Sequence, residues 1–347
     1  MTVAGDPAPG AGVPADPPGE ALLEETPCLL CGSEEGEVRL TSRVQLAPNT
    51  GERFHLRDCR RCGLTYLSPR PTPERMGRYY PPDYLSHRGP EAWGRWSPLV
   101  RASLRRMDGA RVRRVRRAVS LAPGDPVLDV GCGRPSFLCR LQDRTGIFPV
   151  GVDSSDGGWR DDPQKWNGLT LLRGTPSSLE ARLRTLGRSG PGPGSSASGF
   201  RVITLWHALE HDHDPLSTLR ALARLAAPDG RLVVEVPDLG SWTAWWFGPH
   251  WAGLHTPRHT ALHTRETLIR TVEAGGWVVE DHLPYGTLDP YLLVWMSRAV
   301  RRGDDLSGPL APAFPRFLLG RIVWLPLSVL GRRLPLGVQT VVARPPT

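Results

Sequence analysis

From residue 123 onward, short apolar runs alternate with longer stretches in which apolar residues recur at helical spacing. Such alternation is typical of βαβ units and predicts an α/β fold with a mainly parallel sheet. The predicted strands lie near residues 126–130, 147–152, 169–172, 201–205, 231–236, 277–281 and 338–343. The segment "GRSGPGPGSSASG" (187–199) consists of small and polar residues, which predicts a flexible loop ahead of the fourth strand.

An arginine-rich stretch precedes the first predicted strand, with eight arginines between Arg101 and Arg117. Apolar residues at helical spacing within it predict an amphipathic helix that covers the sheet. The residues expected to face the core are Leu104, Val112, Val115 and Val119. The arginines would then form a solvated face, and a surface for RNA or anionic lipid is the alternative.

Two further apolar stretches lie between strands. Phe317–Leu330 belongs to an insertion at about 286–336, contains Arg321 and Pro326, and is 14 residues long. Since a membrane-spanning helix needs roughly 20 apolar residues, this stretch predicts either an interfacial position or a cap over an apolar substrate. The stretch "WTAWWFGPHWAGLH" (242–255) predicts an apolar lid over a binding pocket, with ordinary packing on the sheet as the alternative.

The composition indicates how the chain is divided. With 347 residues and 39% apolar side chains, it can form one full domain and a smaller one. Its first 25 residues are rich in Pro, Gly and Ala and lack the apolar region of a signal peptide, which predicts a disordered N-terminus and a cytoplasmic protein. The predicted division is a disordered segment at 1–25, a cysteine-containing module at 26–72, a connector with the basic helix at 73–122, and the α/β domain at 123–347.

Four of the six cysteines form two C-x-x-C-G hooks, "CLLCG" and "CRRCG". Each hook can present two thiolates to one ion, and the following glycine permits a tight turn. The residues Cys28, Cys31, Cys59 and Cys62 therefore predict a closed, structural zinc site in a small ribbon. Two local disulfides or four free thiols are the alternatives. Because the module lacks interleaved aromatic residues and lysines, nucleic-acid binding is not expected of it.

The sequence "VLDVGCGRPSF" places an acidic residue at a strand end, followed by a glycine turn and a helix. Asp129 precedes Gly131 and Gly133, and Pro135 stands where the helix begins. Such a turn brings backbone N–H groups and a helix N-terminus close to a nucleotide-like ligand. Asp153 ends the next strand 20 residues beyond Gly133, where a carboxylate can accept both hydroxyls of a ribose. A turn that needs its glycines only for packing is the alternative.

Two downstream segments, "VITLWHALEHDHDPLSTLRALARLAAPDGRLVVEVPD" and "PRHTALHTRETLIRTVEAGGW", complete an ordered series of motifs. With the glycine turn and the paired cysteines, the series resembles the class I S-adenosylmethionine-dependent methyltransferases. The subgroup it is most similar to carries an N-terminal C-x-x-C…C-x-x-C ribbon and includes sugar C-methyltransferases. The resemblance runs from about residue 26 to the C-terminus and implies a Rossmann-like seven-stranded sheet with helices on both faces, plus a small zinc ribbon.

The resemblance also implies a site for S-adenosylmethionine. Its parts are a loop around the methionine portion, an acidic strand end at the ribose and a segment beside the sulfonium. The corresponding residues are Asp129, Gly131, Cys132 and Gly133; Asp153 and Ser154; and Trp206 and His207.

Three residues depart from the family pattern. Pro135 stands at the third glycine position, Thr175 where an acidic residue often meets the adenine amine, and Arg201 where an aspartate is usual. Because proline is favoured in the first turn of a helix, we expect a weakened cofactor fit rather than its loss. A non-catalytic descendant of the fold is the alternative.

Histidines follow the fourth and fifth predicted strands, at the strand ends where open α/β sheets bind ligands. They are His207, His211 and His213 after the fourth strand, and His255, His259 and His263 after the fifth. A histidine suits the removal of a proton from a methyl acceptor near neutral pH. The resemblance places a basic histidine at His259, with Arg258 where the sugar enzymes have an acidic neighbour. We predict His259 and His211 as catalytic candidates, with Glu210 and His211 also holding the loop, and expect no metal at the first three histidines.

Together these patterns predict a cytoplasmic enzyme that methylates a small molecule, such as a nucleotide- or lipid-linked sugar or another secondary metabolite. The basic helix and the apolar insertion add the hypothesis of peripheral membrane contact, and we expect a monomer or a homodimer. A nucleic-acid methyltransferase that docks through the ribbon and the arginines is the remaining alternative. Salt-sensitive RNA binding would favour it, whereas the sequence offers no dedicated base-stacking motif.

Overall fold

The computed structural model describes residues 23–46, 51–80, 88–185, 199–304, 306, 308–330 and 334–346. The predicted loop at 187–199 therefore lies outside the described residues except for Gly199, and the predicted disordered N-terminus lies outside them up to residue 22. Its last residues are ordered, because Leu23–Glu24 pair as a strand with Arg70–Pro71. Regular structure thus begins before the predicted boundary at residue 26.

The described residues alternate strands and helices in the order that the sequence pattern predicts. The strands are β1 Leu23–Glu24, β2 Gly36–Arg43, β3 Arg53–Cys59, β4 Thr65–Leu67, β5 Arg70–Pro71, β6 Pro126–Val130, β7 Phe148–Asp153, β8 Thr170–Arg173, β9 Phe200–Trp206, β10 Ala226–Pro237, β11 Ala261–Leu262, β12 Val278–Leu283 and β13 Val338–Arg344. The α-helices are α1 Pro73–Met76, α2 Ser97–Ala118, α3 Ser136–Thr145, α4 Pro176–Thr185, α5 Pro215–Leu225, α6 Trp242–Phe247, α7 Arg265–Ala274, α8 Pro290–Arg302, α9 Phe314–Val323 and α10 Leu325–Leu330.

The main sheet has seven strands in the order β12-β13-β10-β9-β6-β7-β8. Its strands run parallel except β13, which is antiparallel to both neighbours. Every residue of β6 is buried, because helices cover both faces of the sheet. Leu128 packs with α4, α5 and α7, whereas the adjacent Val127 packs with α2 and α3. The predicted Rossmann-like sheet with helices on both faces is confirmed.

The predicted inward face of α2 is only partly right. Val112 and Val115 are buried and Val119 is partly buried, as expected. Leu104 is 37% exposed, so its predicted core position is wrong. It lies in the half of α2 next to α9, where Ser103 accepts a hydrogen bond of 3.4 Å from Arg321, rather than over the sheet.

The arginines of α2 do not form one solvated face. Arg114 is only 8% exposed, and its guanidinium carbon lies 4.9 Å from the ring centroid of Tyr285. Arg111 also faces inward, with its guanidinium carbon 5.2 Å from the ring centroid of Trp206. Since these two side chains point to the sheet, they do not contribute to the basic face of α2 that was considered as a surface for RNA.

The cysteine module is joined to the large domain through a shared sheet. Its antiparallel strands β2, β3 and β4 continue into β11, which lies far along the chain. The N–H of Leu67 donates to the carbonyl of Thr260 at 2.9 Å, and Arg270 on α7 donates to the carbonyl of Cys62 at 3.0 Å. The predicted boundary at residue 72 is therefore crossed by main-chain hydrogen bonds.

The C-terminal insertion forms α8, α9 and α10 and packs on the connector. Trp93 of the connector contacts Trp295, Phe314 and Phe317 with ring centroids 5.7 to 6.1 Å apart. Along the described ranges, no helix combines the length and the apolarity that crossing a membrane requires.

The aromatic stretch after β10 does not fold as a single lid. Trp251 is fully buried and donates through Nε1 to Thr243 at 3.2 Å. Trp242, Trp245 and Trp246 instead lie exposed on α6.

Candidate functional site

The glycine turn after β6 needs glycine at both predicted positions. Gly131 and Gly133 have φ values of +69° and +46°, which side chains rarely adopt. A Cβ on Gly131 would also lie 2.7 Å from Cβ of Ala208, whereas one on Gly133 would meet nothing within 4 Å. Pro135 caps the N-terminus of α3, and its carbonyl accepts the N–H of Cys139 at 3.2 Å. The proline therefore starts the helix and leaves the turn intact.

Asp153 connects the end of β7 to this turn. Its Oδ2 accepts the N–H of Gly133 and its Oδ1 the N–H of Ser155, both at 2.9 Å. Ser154 is exposed beside it, and its carbonyl accepts a bond from Arg173. A carboxylate has about four lone-pair sites, so Asp153 keeps acceptor capacity for further hydroxyls.

Asp129 lies beneath the turn rather than at its surface. It is 3% exposed, and its Oδ1 accepts a bond of 2.6 Å from the hydroxyl of Thr204. Burial raises the pKa of Asp129 to about 7 against the opposing effect of that bond. Burial also raises the pKa of the Cys132 thiol, so this side chain is neutral. Both residues shape the turn from below.

Trp206 ends β9 with its ring turned into the core. The ring centroid lies 5.4 Å from that of Phe137, with Arg111 on the ring as described above. Within the described part of the chain, Nε1 of Trp206 and Nε of Arg111 are buried without a hydrogen-bond partner. Sequence reasoning missed Arg111, although the helical spacing that places Val112 and Val115 inward places residue 111 on the same side.

His207 follows β9 in a left-handed conformation, with φ of +56°. Its Nδ1 lies 3.3 Å from Glu210 and its Nε2 lies 3.3 Å from Glu235, both carboxylates being buried. Burial disfavours the charged ring, but the hydrogen bonds and charges of Glu210 and Glu235 outweigh it and raise the pKa of His207 to about 9. The ring thus lies between two buried carboxylates that favour its protonated form.

Three of the six predicted histidines lie together. One of them follows β9 and the other two follow β10. The ring nitrogens of His211, His255 and His259 approach within 4.8 Å of one another. His213 instead lies with Nε2 at 3.1 Å from the carbonyl of Pro71. His211 thus groups with His255 and His259 rather than with His207 and His213.

The tautomer of His259 follows from its partners. Its Nδ1 donates to the carbonyl of Gly253 at 2.9 Å, which leaves Nε2 as an acceptor 3.9 Å from Glu210. Burial, together with the charge of His211, lowers the pKa of His259 to about 3, so the ring is neutral. His211 contacts the hydroxyl of Tyr80 at 2.8 Å and the carbonyl of Arg258 at 3.1 Å, both through Nδ1. Tyr80 is a further site residue that the sequence did not reveal.

Arg258 anchors the segment that carries His255 and His259. It is fully buried and donates to the carbonyls of Tyr79 and Gln45 and, at 3.0 Å, to Nε2 of His255. A cation at the three histidines would face this guanidinium at close range, which disfavours a metal there.

The four cysteines of the ribbon converge. Sγ of Cys28 lies 3.4 Å from Sγ of Cys62, and Sγ of Cys31 lies 3.5 Å from Sγ of Cys59, with all four within 4.8 Å. No disulfide joins them, so that alternative is wrong. Burial raises the pKa of Cys28 and raises that of Cys62 to about 11. Four sulfur donors at these separations can surround one ion.

Two family departures have local explanations. The carbonyl of Thr175 accepts the N–H groups of Ser178 and Leu179, so this residue lies immediately before α4 and accepts its first hydrogen bonds. Arg201 forms an ion pair with Asp229 at the edge of β9. Neither change disturbs the strand end that carries Asp153.

Comparison with known proteins places the chain among relatives of one kind. The family described as a methyltransferase domain matches residues 103–282. A ubiquinone biosynthesis O-methyltransferase from Hahella chejuensis is 31% identical over 227 residues, which cover 64% of this chain and 87% of that protein. A protein of the same description from Stutzerimonas stutzeri is 29% identical over 196 residues, covering 56% of this chain and 76% of that protein. Among solved structures, a cyclopropane synthase from Mycobacterium tuberculosis is 14% identical with a TM-score of 0.44, covering 68% of this chain and 83% of that one.

Proposed function

Because the chain belongs to the S-adenosylmethionine-dependent methyltransferases, we propose that it methylates a hydroxyl oxygen of a small molecule. The observation that carries this proposal is the neutral His259, whose free Nε2 lies beside His211 at the end of the sheet that holds the glycine turn. The description of the relatives as O-methyltransferases supports oxygen as the methylated atom.

The residues around the glycine turn fit S-adenosylmethionine, which supplies an electrophilic methyl group when bound. Asp153 would accept the ribose hydroxyls, since its oxygens retain acceptor capacity. Arg111 would bind the carboxylate of the methionine portion, because its Nε has no hydrogen-bond partner among the described residues and its Nη1 lies 3.9 Å from its ion-pair partner Asp108. The open space beside Gly133 leaves room for the ligand.

His211 would take the proton of the acceptor hydroxyl. Its Nδ1 is engaged by Tyr80 and the carbonyl of Arg258, which orients the ring. The ring of His259 lies 4.5 Å from that of His211, and its Nε2 would position the acceptor by accepting a hydrogen bond from a second polar group, since the single proton of the reacting hydroxyl goes to His211. Alignment of the acceptor and removal of its proton are the two contributions a protein makes to methyl transfer.

Arg258 argues for oxygen over carbon as the methylated atom. The acidic neighbour of the sugar C-methyltransferases is replaced by a side chain that points to the carbonyls of Tyr79 and Gln45. This guanidinium cannot act as a base, so the site lacks the acidic group that the sugar C-methyltransferases have beside the histidine.

The cysteine cluster would hold structural zinc. Its four sulfur donors leave no open position for a substrate, and Ala261 of β11 packs against them. The ion would stabilise the ribbon and, through β11, the segment that carries His259.

The experiment that tests this function follows transfer of a labelled methyl group to a panel of catechols and other hydroxylated aromatic compounds. We expect O-methylated product, and a loss of about 100-fold or more in kcat for His211→Gln with unchanged affinity for S-adenosylmethionine. His250→Gln, at an exposed position, is the control. Methylation at carbon, or undiminished kcat in His211→Gln, would overturn the proposal.

A further inference from the structure

Helix α6 exposes three tryptophans within five residues. Trp242, Trp245 and Trp246 are 60%, 77% and 66% exposed. The preceding Ser241 caps the helix, and Thr243 and Ala244 are buried beneath it. The tryptophans are therefore held on a short, anchored helix and face outward.

Helices α9 and α10 likewise present an apolar side to the outside. Leu319, Ile322, Val323 and Leu325 are 55% to 72% exposed. The opposite side of α9 is anchored, because Phe317 packs on Tyr291 of α8 with ring centroids 5.5 Å apart. An apolar face turned outward on a well-packed helix is the reverse of the usual arrangement in a globular protein.

The two apolar regions are anchored on the same part of the fold, around α8. The N–H of Trp242 donates to the carbonyl of Pro335 at 2.9 Å, which ties α6 to the chain that follows α10. At its other end, Phe247 packs into the same cluster of α8 as Phe317. We call the outward residues the tryptophan–leucine face: Trp242, Trp245, Trp246, Leu319, Ile322, Val323 and Leu325.

The chain segments that carry this face contain basic rather than acidic residues. Of these, Arg321 pairs with Asp289 at the N-cap of α8 and Arg344 with Glu280 on β12. The sequence contains no aspartate or glutamate between residues 239 and 265 or from residue 306 to the C-terminus, whereas the latter segment contains five arginines. Arg316 is exposed on α9, and Arg105 and Arg106 are exposed on the neighbouring α2. An anionic surface would be attracted here, and a second copy of this face would be repelled.

We propose that the tryptophan–leucine face docks on an anionic phospholipid bilayer. Tryptophan favours the headgroup region, where its ring is buried and its N–H stays hydrated. Leucine and isoleucine side chains enter the acyl boundary, and nearby arginines bind lipid phosphates. The docking is interfacial, and it does not depend on the proposed methyl acceptor.

The test measures sedimentation of the full chain with vesicles of phosphatidylglycerol and phosphatidylcholine, and with vesicles of phosphatidylcholine alone. We expect binding to the anionic vesicles that weakens with salt, and about tenfold weaker binding for the double variant Trp245→Ser/Trp246→Ser. The matched control is Val38→Ser/Val278→Ser, which removes two exposed apolar residues on β2 and β12. Brominated lipids should quench tryptophan fluorescence of the parent chain more than that of the tryptophan variant.

Two results would overturn the proposal. One is equal sedimentation of the tryptophan variant and the control variant. The other is a dimer in analytical ultracentrifugation that the tryptophan substitutions dissociate, without vesicle binding by the parent chain, since the face would then be a contact between two copies. These measurements need no methyl acceptor, so their outcome is independent of the outcome of the activity test.

Discussion

The N–H of Gly133 donates a hydrogen bond of 2.9 Å to Oδ2 of Asp153, so the glycine turn after β6 and the acidic end of β7 are connected directly. Removal of this carboxylate therefore affects both the turn and the proposed ribose contact. We expect Asp153→Ala to weaken S-adenosylmethionine binding at least about tenfold, because hydrogen bonds to a charged group contribute about 1.5–3 kcal/mol each. Calorimetric titration measures this, with the exposed Asp161→Ala as control. Equal affinity in the two variants would remove Asp153 from the site.

The two glycines of the turn allow a paired test. Gly131→Ala places a methyl group 2.7 Å from Ala208 in a left-handed conformation, so we expect it to lower the free energy of unfolding by about 2–4 kcal/mol. Gly133→Ala adds only the backbone strain, about 1 kcal/mol, but its methyl group enters the open space beside the turn. Denaturant unfolding and ligand titration should thus separate a mainly structural defect at Gly131 from a binding defect at Gly133. The same stability loss in both variants would contradict this division.

His207 should make stability depend on pH. Its folded pKa of about 9 lies above the ordinary value, so its contribution is complete below about pH 6.5 and is lost as the pH rises through about 9. We expect His207→Gln to lower the free energy of unfolding by about 1–3 kcal/mol near pH 6 and by clearly less near pH 10. Chemical denaturation at the two pH values checks this against His250→Gln. A loss that does not change with pH would mean that the ring is neutral between Glu210 and Glu235.

Removal of metal from the ribbon should destabilise the segment 255–263, which carries His255 and His259. A chelator that strips the proposed zinc leaves four clustered sulfurs without their ion, and β11 shares a sheet with that module. We expect a lower melting temperature and a loss of hydrogen-exchange protection at the backbone amides of Thr260 and Leu262. Metal content is measured in parallel. Cys28→Ser should reproduce the effect, and Cys139→Ser, outside the cluster, should not. Unchanged protection in metal-free protein would show that the sheet holds the loop without the ion.

The sequence pattern was sufficient for the sheet because its central strands are buried on both faces, although the edge strands β8 and β12 are more exposed. All seven predicted strands occur, and β6 differs from its prediction by no residue. The chain belongs to a family of enzymes, which argues against the non-catalytic alternative. Pro135, which raised that alternative, occupies the N-cap position of α3.

The sequence was less informative where distant segments meet. Periodicity indicates one face of α2, but it cannot indicate that Arg114 stacks on Tyr285 from a segment 171 residues away. In the same way, His255 and His259 meet His211 because Thr260 and Arg258 bond to the segment 210–212, which lies far from them in the sequence. Such contacts depend on the packing of elements, which local spacing does not encode.

The pairing of β4 with β11 has a consequence for the evolution and engineering of this architecture. A chain that lost the N-terminal module would expose the backbone of Ala261–Leu262 as an unpaired edge, which invites aggregation. Exchange of that module between homologous proteins would accordingly require the segment 255–263 to travel with it. The ribbon and the loop that it supports therefore form one structural unit, although nearly two hundred residues separate them along the chain.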